Sequence, residues 1–110
     1  MLSKLEELVL LTVLKLGENA YGITIYKYMK KITGKKLSVG SVYFPLERLA
    51  KKGYLSTRKG EPTPKRGGMS KKYYRLNQSG IKVLKKTNEM NQAMWHGIED
   101  QLDGFVEAEP

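Results

Sequence analysis

Ile81, Leu84, Asn88, Asn91, Trp95, Ile98, Leu102 and Phe105 succeed one another at alternating spacings of three and four residues. Such a seam marks a helix that meets another helix along its length. The spacing predicts one long helix from about Gln78 to Gly104 or Phe105, capped by Asn77. At about 1.5 Å per residue it would run roughly 40 Å, too long for a body of this size to cover. Its half from Asn88 onward needs a partner, which predicts a homodimer in which this helix packs on its counterpart and on the first helix. The candidate interface is Leu5, Val9, Ile81, Leu84, Asn88, Asn91, Trp95, Ile98 and Leu102. Asn88 and Asn91 would weaken the seam while setting its register.

The chain before this seam reads as three short helices. Ser3 and Glu6 have the spacing of a capping box, opening a helix from Ser3 to Leu16. Leu10, Leu11 and Leu14 widen its apolar face until it should be buried on several sides. A second helix follows the turn at Glu18–Gly22, about Ile23 to Thr33, with Tyr21, Ile25, Tyr28, Met29 and Ile32 as its inner stripe. The third, Leu37 to Gly53, has Ser38 as N-cap and Val39, Val42, Leu46, Leu49 and Ala50 on its apolar face. Gly53 closes it with the positive φ a helix end often needs. Gly40, Ser41, Phe44, Arg48 and Lys51 lie opposite, a mixture of small hydroxyls, an aromatic and cations suited to phosphates and base edges. Two short amphipathic helices joined in this way have the spacing of a helix-turn-helix.

After Gly53 the period changes from helical to alternating. Tyr54–Lys59 and Lys71–Leu76 are β-compatible and bracket a loop with two Pro and three Gly, Gly60 to Ser70. A hairpin directly after a helix-turn-helix is a wing. Residues 58–75 carry seven cations against Glu61, which suits a phosphate backbone or a minor groove. The charge of the whole chain agrees. Residues 1–98 hold all 20 Lys and Arg and only six acids, a net of +14, whereas Glu99, Asp100, Asp103, Glu107 and Glu109 make the end acidic. Such an imbalance points to a polyanion. The charge pattern selects Lys35, Lys36, Lys65, Arg66, Lys71 and Lys72 as phosphate contacts.

Other classes find little support. With no Cys there is no disulfide, thiolate metal site or cysteine nucleophile, as expected of a cytoplasmic protein. The longest apolar run, Leu8–Leu14, is shorter than a membrane span. His96 is the only His and has no partners at metal-ligand spacing. No catalytic set, cofactor motif or metal site is expected, so the chain reads as a non-enzyme.

Several strings together resemble the PadR family of bacterial transcriptional regulators. They are Leu5–Leu10; Tyr21-Gly22 followed by Ile23 and Ile25; Gly40–Tyr43 with Leu46–Leu49 and Gly53–Leu55; and Lys72–Asn77 with Gly80. The resemblance spans about residues 5–86 and is to the short form with a single C-terminal dimerisation helix. One departure is that Pro often follows the third-helix Tyr directly in the family, whereas here Phe44 intervenes before Pro45. A proline there would bend the helix. The resemblance implies a winged-helix dimer on a roughly palindromic double-stranded DNA operator, usually a repressor released by a small molecule or other signal. It also implies that Ser41 and Tyr43 face DNA and that Tyr21 and Gly22 lie near phosphate. Core packing of Tyr43, with only its hydroxyl outside, is an equal alternative. Some short members bind flat hydrophobic compounds between subunits. Trp95 with Met90 and Met94 is the corresponding candidate ligand pocket here, the other reading being that Trp95 simply fills the interface.

The expected architecture is therefore mainly α with a small β-hairpin: a winged helix-turn-helix over residues 1–76, a C-terminal dimerisation helix over 77–105 and an acidic tail over 106–110. The candidate DNA-binding residues are Tyr21, Gly22, Lys35, Lys36, Ser38, Ser41, Tyr43, Phe44, Arg48, Lys65, Arg66, Lys71 and Lys72. The alternative function is a winged-helix protein-interaction module that binds no operator.

Overall fold

A computed structural model of the chain describes residues 1–61 and 71–108. Helix α1 (Lys4–Leu16) opens with the expected capping box. The Ser3 hydroxyl accepts from the Glu6 N–H at 3.1 Å, and Glu6 Oε1 accepts from the Ser3 N–H at 2.9 Å. A short 3-10 turn, Gly17–Asn19, leads to α2 (Gly22–Thr33), which Gly34 ends at φ 65°. Helix α3 spans Gly40–Lys51 and is continuous through Pro45. Strands β1 (Leu55–Lys59) and β2 (Lys72–Leu76) pair antiparallel, Leu55 opposite Leu76 and Lys59 opposite Lys72. Residues 20–21 extend this small sheet on the far side of β2, through a bridge from Tyr21 to Tyr73 and a hydrogen bond from the Tyr74 N–H to the Ala20 carbonyl.

The core lies where α1, α2, α3 and the inner face of the hairpin meet. Val9, Leu10 and Val13 come from α1, Ile25 and Met29 from α2, Val42, Leu46 and Leu49 from α3, and Leu55, Tyr74 and Leu76 from the strands. The strands alternate as a one-sided sheet should, with Tyr74 and Leu76 inward and Arg75 outward. No helix among the described residues is long and apolar enough to cross a membrane.

Two expectations about burial are corrected. Val39 is 55% exposed, because it precedes the first full turn of α3 and Leu37 packs on the core instead. Ser38 still caps, its hydroxyl accepting from the Ser41 N–H at 3.2 Å, although the helix proper begins at Gly40. Ile32 is 60% exposed: α2 ends before its last turn reaches the core. Helix α1 packs against α2, α3 and β2, on several sides as expected, and leaves Leu14 exposed.

The largest difference is at the C-terminus. The expected single helix is two, α4 (Gln78–Trp95) and α5 (Ile98–Ala108). Between them His96 is extended at ψ 120° and Gly97 sits at φ 78°. A positive φ is open to glycine at little cost and strained for other residues. The acids Glu99 and Asp100 in the first turn of α5 favour a new helix N-terminus there. The seam is therefore divided, with Trp95 closing one part and Ile98 opening the next. Asn77 caps α4 as expected, accepting from the Gly80 N–H at 3.0 Å. Gly80 lies so close to the Tyr54 carbonyl that a Cβ there would collide with it. The radius of gyration, 17.3 Å, exceeds the roughly 13 Å of a compact domain this long, because α4 and α5 extend away from the winged-helix body.

Candidate nucleic-acid interface

The start of α2, Tyr43 and Glu47 of α3 and the base of the wing converge around one cleft. Thr24 organises the first element: its hydroxyl accepts from the Tyr21 N–H at 3.0 Å and donates to the Asn19 carbonyl at 2.6 Å. Gly22 follows, and its missing side chain is structural. A Cβ at this position would collide with the Tyr43 hydroxyl oxygen and the adjoining ring carbon. Glycine leaves room for the end of the Tyr43 ring, and any larger residue would have to displace it. Tyr43 is half-buried, with its hydroxyl end against Gly22.

Aromatic rings and cations interleave at the wing base. Tyr21 meets Tyr73 edge-on with ring centroids 5.4 Å apart. Lys71 Nζ lies 4.2 Å from the Tyr21 ring centroid, and the Arg58 guanidinium 4.5 Å from that of Tyr73. Lys72 Nζ is 3.1 Å from Glu47 of α3, and that carboxylate holds the ammonium charged to higher pH than usual. Burial raises the pKa of the Tyr74 hydroxyl. A cleft of about 210 Å³ runs between Tyr21, Gly22, Tyr43, Glu47, Lys71 and Lys72. It is open, cationic along one wall and floored by rings.

Behind α3 lies an ion cluster. Glu6 is 4% exposed, yet its Oε2 is 3.2 Å from Arg48 Nε and 3.3 Å from Lys52 Nζ. The backbone hydrogen bond from Ser3 and these two cations lower its pKa from 4.5 to about 2, against the opposing effect of burial. The neighbouring Glu7 accepts from Asn91 Nδ2 of α4 at 2.9 Å. The first turn of α1 therefore touches both α3 and α4.

Residues 10–86 match the transcriptional regulator PadR-like family. The chain belongs to the PadR family. It is 33% identical to smu.1704 from Streptococcus mutans UA159, with 94% of this chain and 87% of that one covered and a TM-score of 0.67. A transcriptional regulator from Clostridium thermocellum superposes at a TM-score of 0.69, with 26% identity over 86% of this chain and 89% of that one. A PadR family transcription regulator from Clostridium difficile R20291 has the same fold at 22% identity and a TM-score of 0.63, over 94% of this chain and 99% of that one. No curated protein is matched by the sequence.

On this PadR winged helix the residues singled out in the sequence fall into groups. Tyr21, Gly22, Tyr43, Lys71 and Lys72 come together around the cleft. Ser38, Ser41 and Phe44 share the start and outer side of α3, with Ser38 and Ser41 hydroxyl oxygens 2.6 Å apart. Lys35 and Lys36 are exposed on the segment entering α3. Lys65 and Arg66 lie outside the described residues. Arg48 is half-exposed and its Nε pairs with Glu6 of α1, which supplies an almost buried carboxylate with a cation. Of the interface candidates, Val9 is 0% exposed and Leu84 is also buried, so both belong to the protomer's own core. Asn91 turns toward Glu7, while Trp95 is 54% exposed. Sequence reading saw Glu6 only as a helix cap. Its second role joins residues 42 and 46 positions apart, and no local spacing signals that. The break at Gly97 did have a signal, a glycine followed by two acids.

Proposed function

We propose that the protein binds duplex DNA as a homodimer and represses transcription until a ligand or other signal releases it. The observation that carries this reading is the outer face of α3. It presents an exposed Phe44 beside the partly exposed Gly40 and Ser41, on a body that also carries the exposed Lys35-Lys36 approach and the cationic wing base. Hydroxyls and cations so arranged match base edges flanked by phosphates. A second copy packed on the exposed sides of Ile81, Trp95, Ile98 and Leu102, together with Leu5, would give two α3 helices, to be set about one DNA turn apart, roughly 34 Å, on a palindromic site. A flat hydrophobic effector would sit between the copies at Met90, Met94 and Trp95.

A mobility-shift assay with the DNA upstream of the protein's own gene tests the reading. Affinity should fall steeply with salt, and the Lys65→Ala/Arg66→Ala pair should flatten that dependence. Binding indifferent to salt would reject the phosphate contacts. No shifted DNA from a random-duplex selection, with a stable protein partner in a pull-down, would favour the interaction-module alternative.

A further inference from the structure

Phe44 is 73% exposed, among the most exposed large apolar side chains in the winged-helix body. It projects opposite the stripe of Val42, Leu46 and Leu49 that enters the core. Its ring lies back along the helix toward the N-terminus: a Cβ on Gly40 would stand 3.1 Å from it. Glycine at 40 therefore gives the ring room at the start of α3, beside the paired hydroxyls of Ser38 and Ser41. Lys35 and Lys36 lie just before it in the chain, both exposed.

The Ser38 and Ser41 hydroxyls and, before them in the chain, Lys35 and Lys36 share this end of α3 with the ring, together with the exposed Val39. That combination has a matching surface in the major groove. Thymine alone presents a methyl group there, at C5, amid hydrogen-bonding edges and between phosphate rows, and phenylalanine is among the side chains that contact it.

We propose that Phe44 is a specificity-determining residue that reads one thymine per half-site through its C5-methyl group. This rests on the DNA-binding reading above. The adjacent serine hydroxyls are positioned to meet neighbouring base edges or phosphates, whereas Phe44 contributes only apolar contact. Removing one buried methyl should cost about fourfold in affinity, and removing both symmetric methyls roughly fifteenfold.

The test begins with duplexes enriched from a random library by the wild-type protein. Each thymine is then replaced in turn by uracil, which deletes only the methyl. One symmetric pair should weaken wild-type binding by about fifteenfold and leave Phe44→Ala binding unchanged, with Phe44→Leu retaining part of the discrimination. Uracil substitutions that affect wild type and Phe44→Ala alike at every position overturn the assignment while leaving DNA binding intact. Failure to enrich any duplex overturns the DNA-binding reading itself, and this inference with it. A change in oligomeric state for Phe44→Ala in sedimentation would show that a second copy covers the ring, which also overturns it. Circular dichroism of both variants should match wild type, because the side chain contributes little to the core.

Discussion

The Glu6 carboxylate holds the Arg48 guanidinium at 3.2 Å across 42 residues of chain, tying the first turn of α1 to the end of α3. The same oxygen takes Lys52 at 3.3 Å. Because Glu6 is nearly buried and both cations are half-exposed, the carboxylate is the member whose ionisation matters most to the fold.

That ionisation should show in acid stability. The folded-state pKa of Glu6 is about 2 against 4.5 for the unfolded chain. A depressed carboxylate contributes stability that is complete above the unfolded value and is lost as pH falls through the folded one. The contribution, at most about 3 kcal/mol, should therefore disappear between about pH 4.5 and pH 2. Glu6→Gln retains an acceptor for the Ser3 N–H but loses both ion pairs. Urea denaturation at neutral pH should show it roughly 1–3 kcal/mol less stable than wild type, with the difference vanishing near pH 2. An undiminished difference at pH 2 would contradict the assignment.

Gly22→Ala should be destabilising by about 1–3 kcal/mol, since the new methyl falls within the Tyr43 ring. Tyr43→Ala should relieve most of that cost. A double-mutant cycle on unfolding free energies checks it: strictly additive effects would mean that the two residues do not meet.

Gly97→Ala should favour one continuous C-terminal helix. It raises the cost of φ 78° by about 1–2 kcal/mol and improves helix propensity by about 1 kcal/mol. Far-UV circular dichroism should report increased helicity, and spin labels placed on α4 and α5 should move apart. Unchanged helicity and distance would show that tertiary or intersubunit contacts hold the break.

The core and the exposed apolar positions should respond differently. Leu46→Ala opens a cavity beneath α3 and should cost about 2–5 kcal/mol. Val39→Ala and Ile32→Ser, at exposed positions, should each stay within about 0.5 kcal/mol. Chemical denaturation of the three variants compares them directly.

Periodicity carried most of the winged-helix body. Helices α1 to α3, the change of period after Gly53 and the alternating strands all follow from side-chain spacing, because each element must turn its apolar positions to one core. The Ser3–Glu6 box, the Asn77 cap and the positive φ of Gly53 were equally legible, since they depend on residues within one helical turn. Spacing failed at Ile32 and Val39, where the apolar pattern continues but the element no longer faces the core. It failed more broadly from Ile81 to Phe105, where a seam of the right period concealed a glycine break.

What the sequence determined by itself is therefore local: element type, caps, the sign and location of charge, and the strings that place the chain in its family. What only the tertiary structure decided is which of several similar side chains are used where. Nothing in the spacing of Arg48 announces its pair with Glu6, distant in sequence but adjacent in space. Tyr43 is open to two readings in the sequence, and only the fold shows that its ring tip lies against Gly22. Phe44 lies along the helix over Gly40, and no element among the described residues covers it. In each case the deciding interaction is a close contact between separate elements, and its energy depends on a distance that residue order alone does not contain.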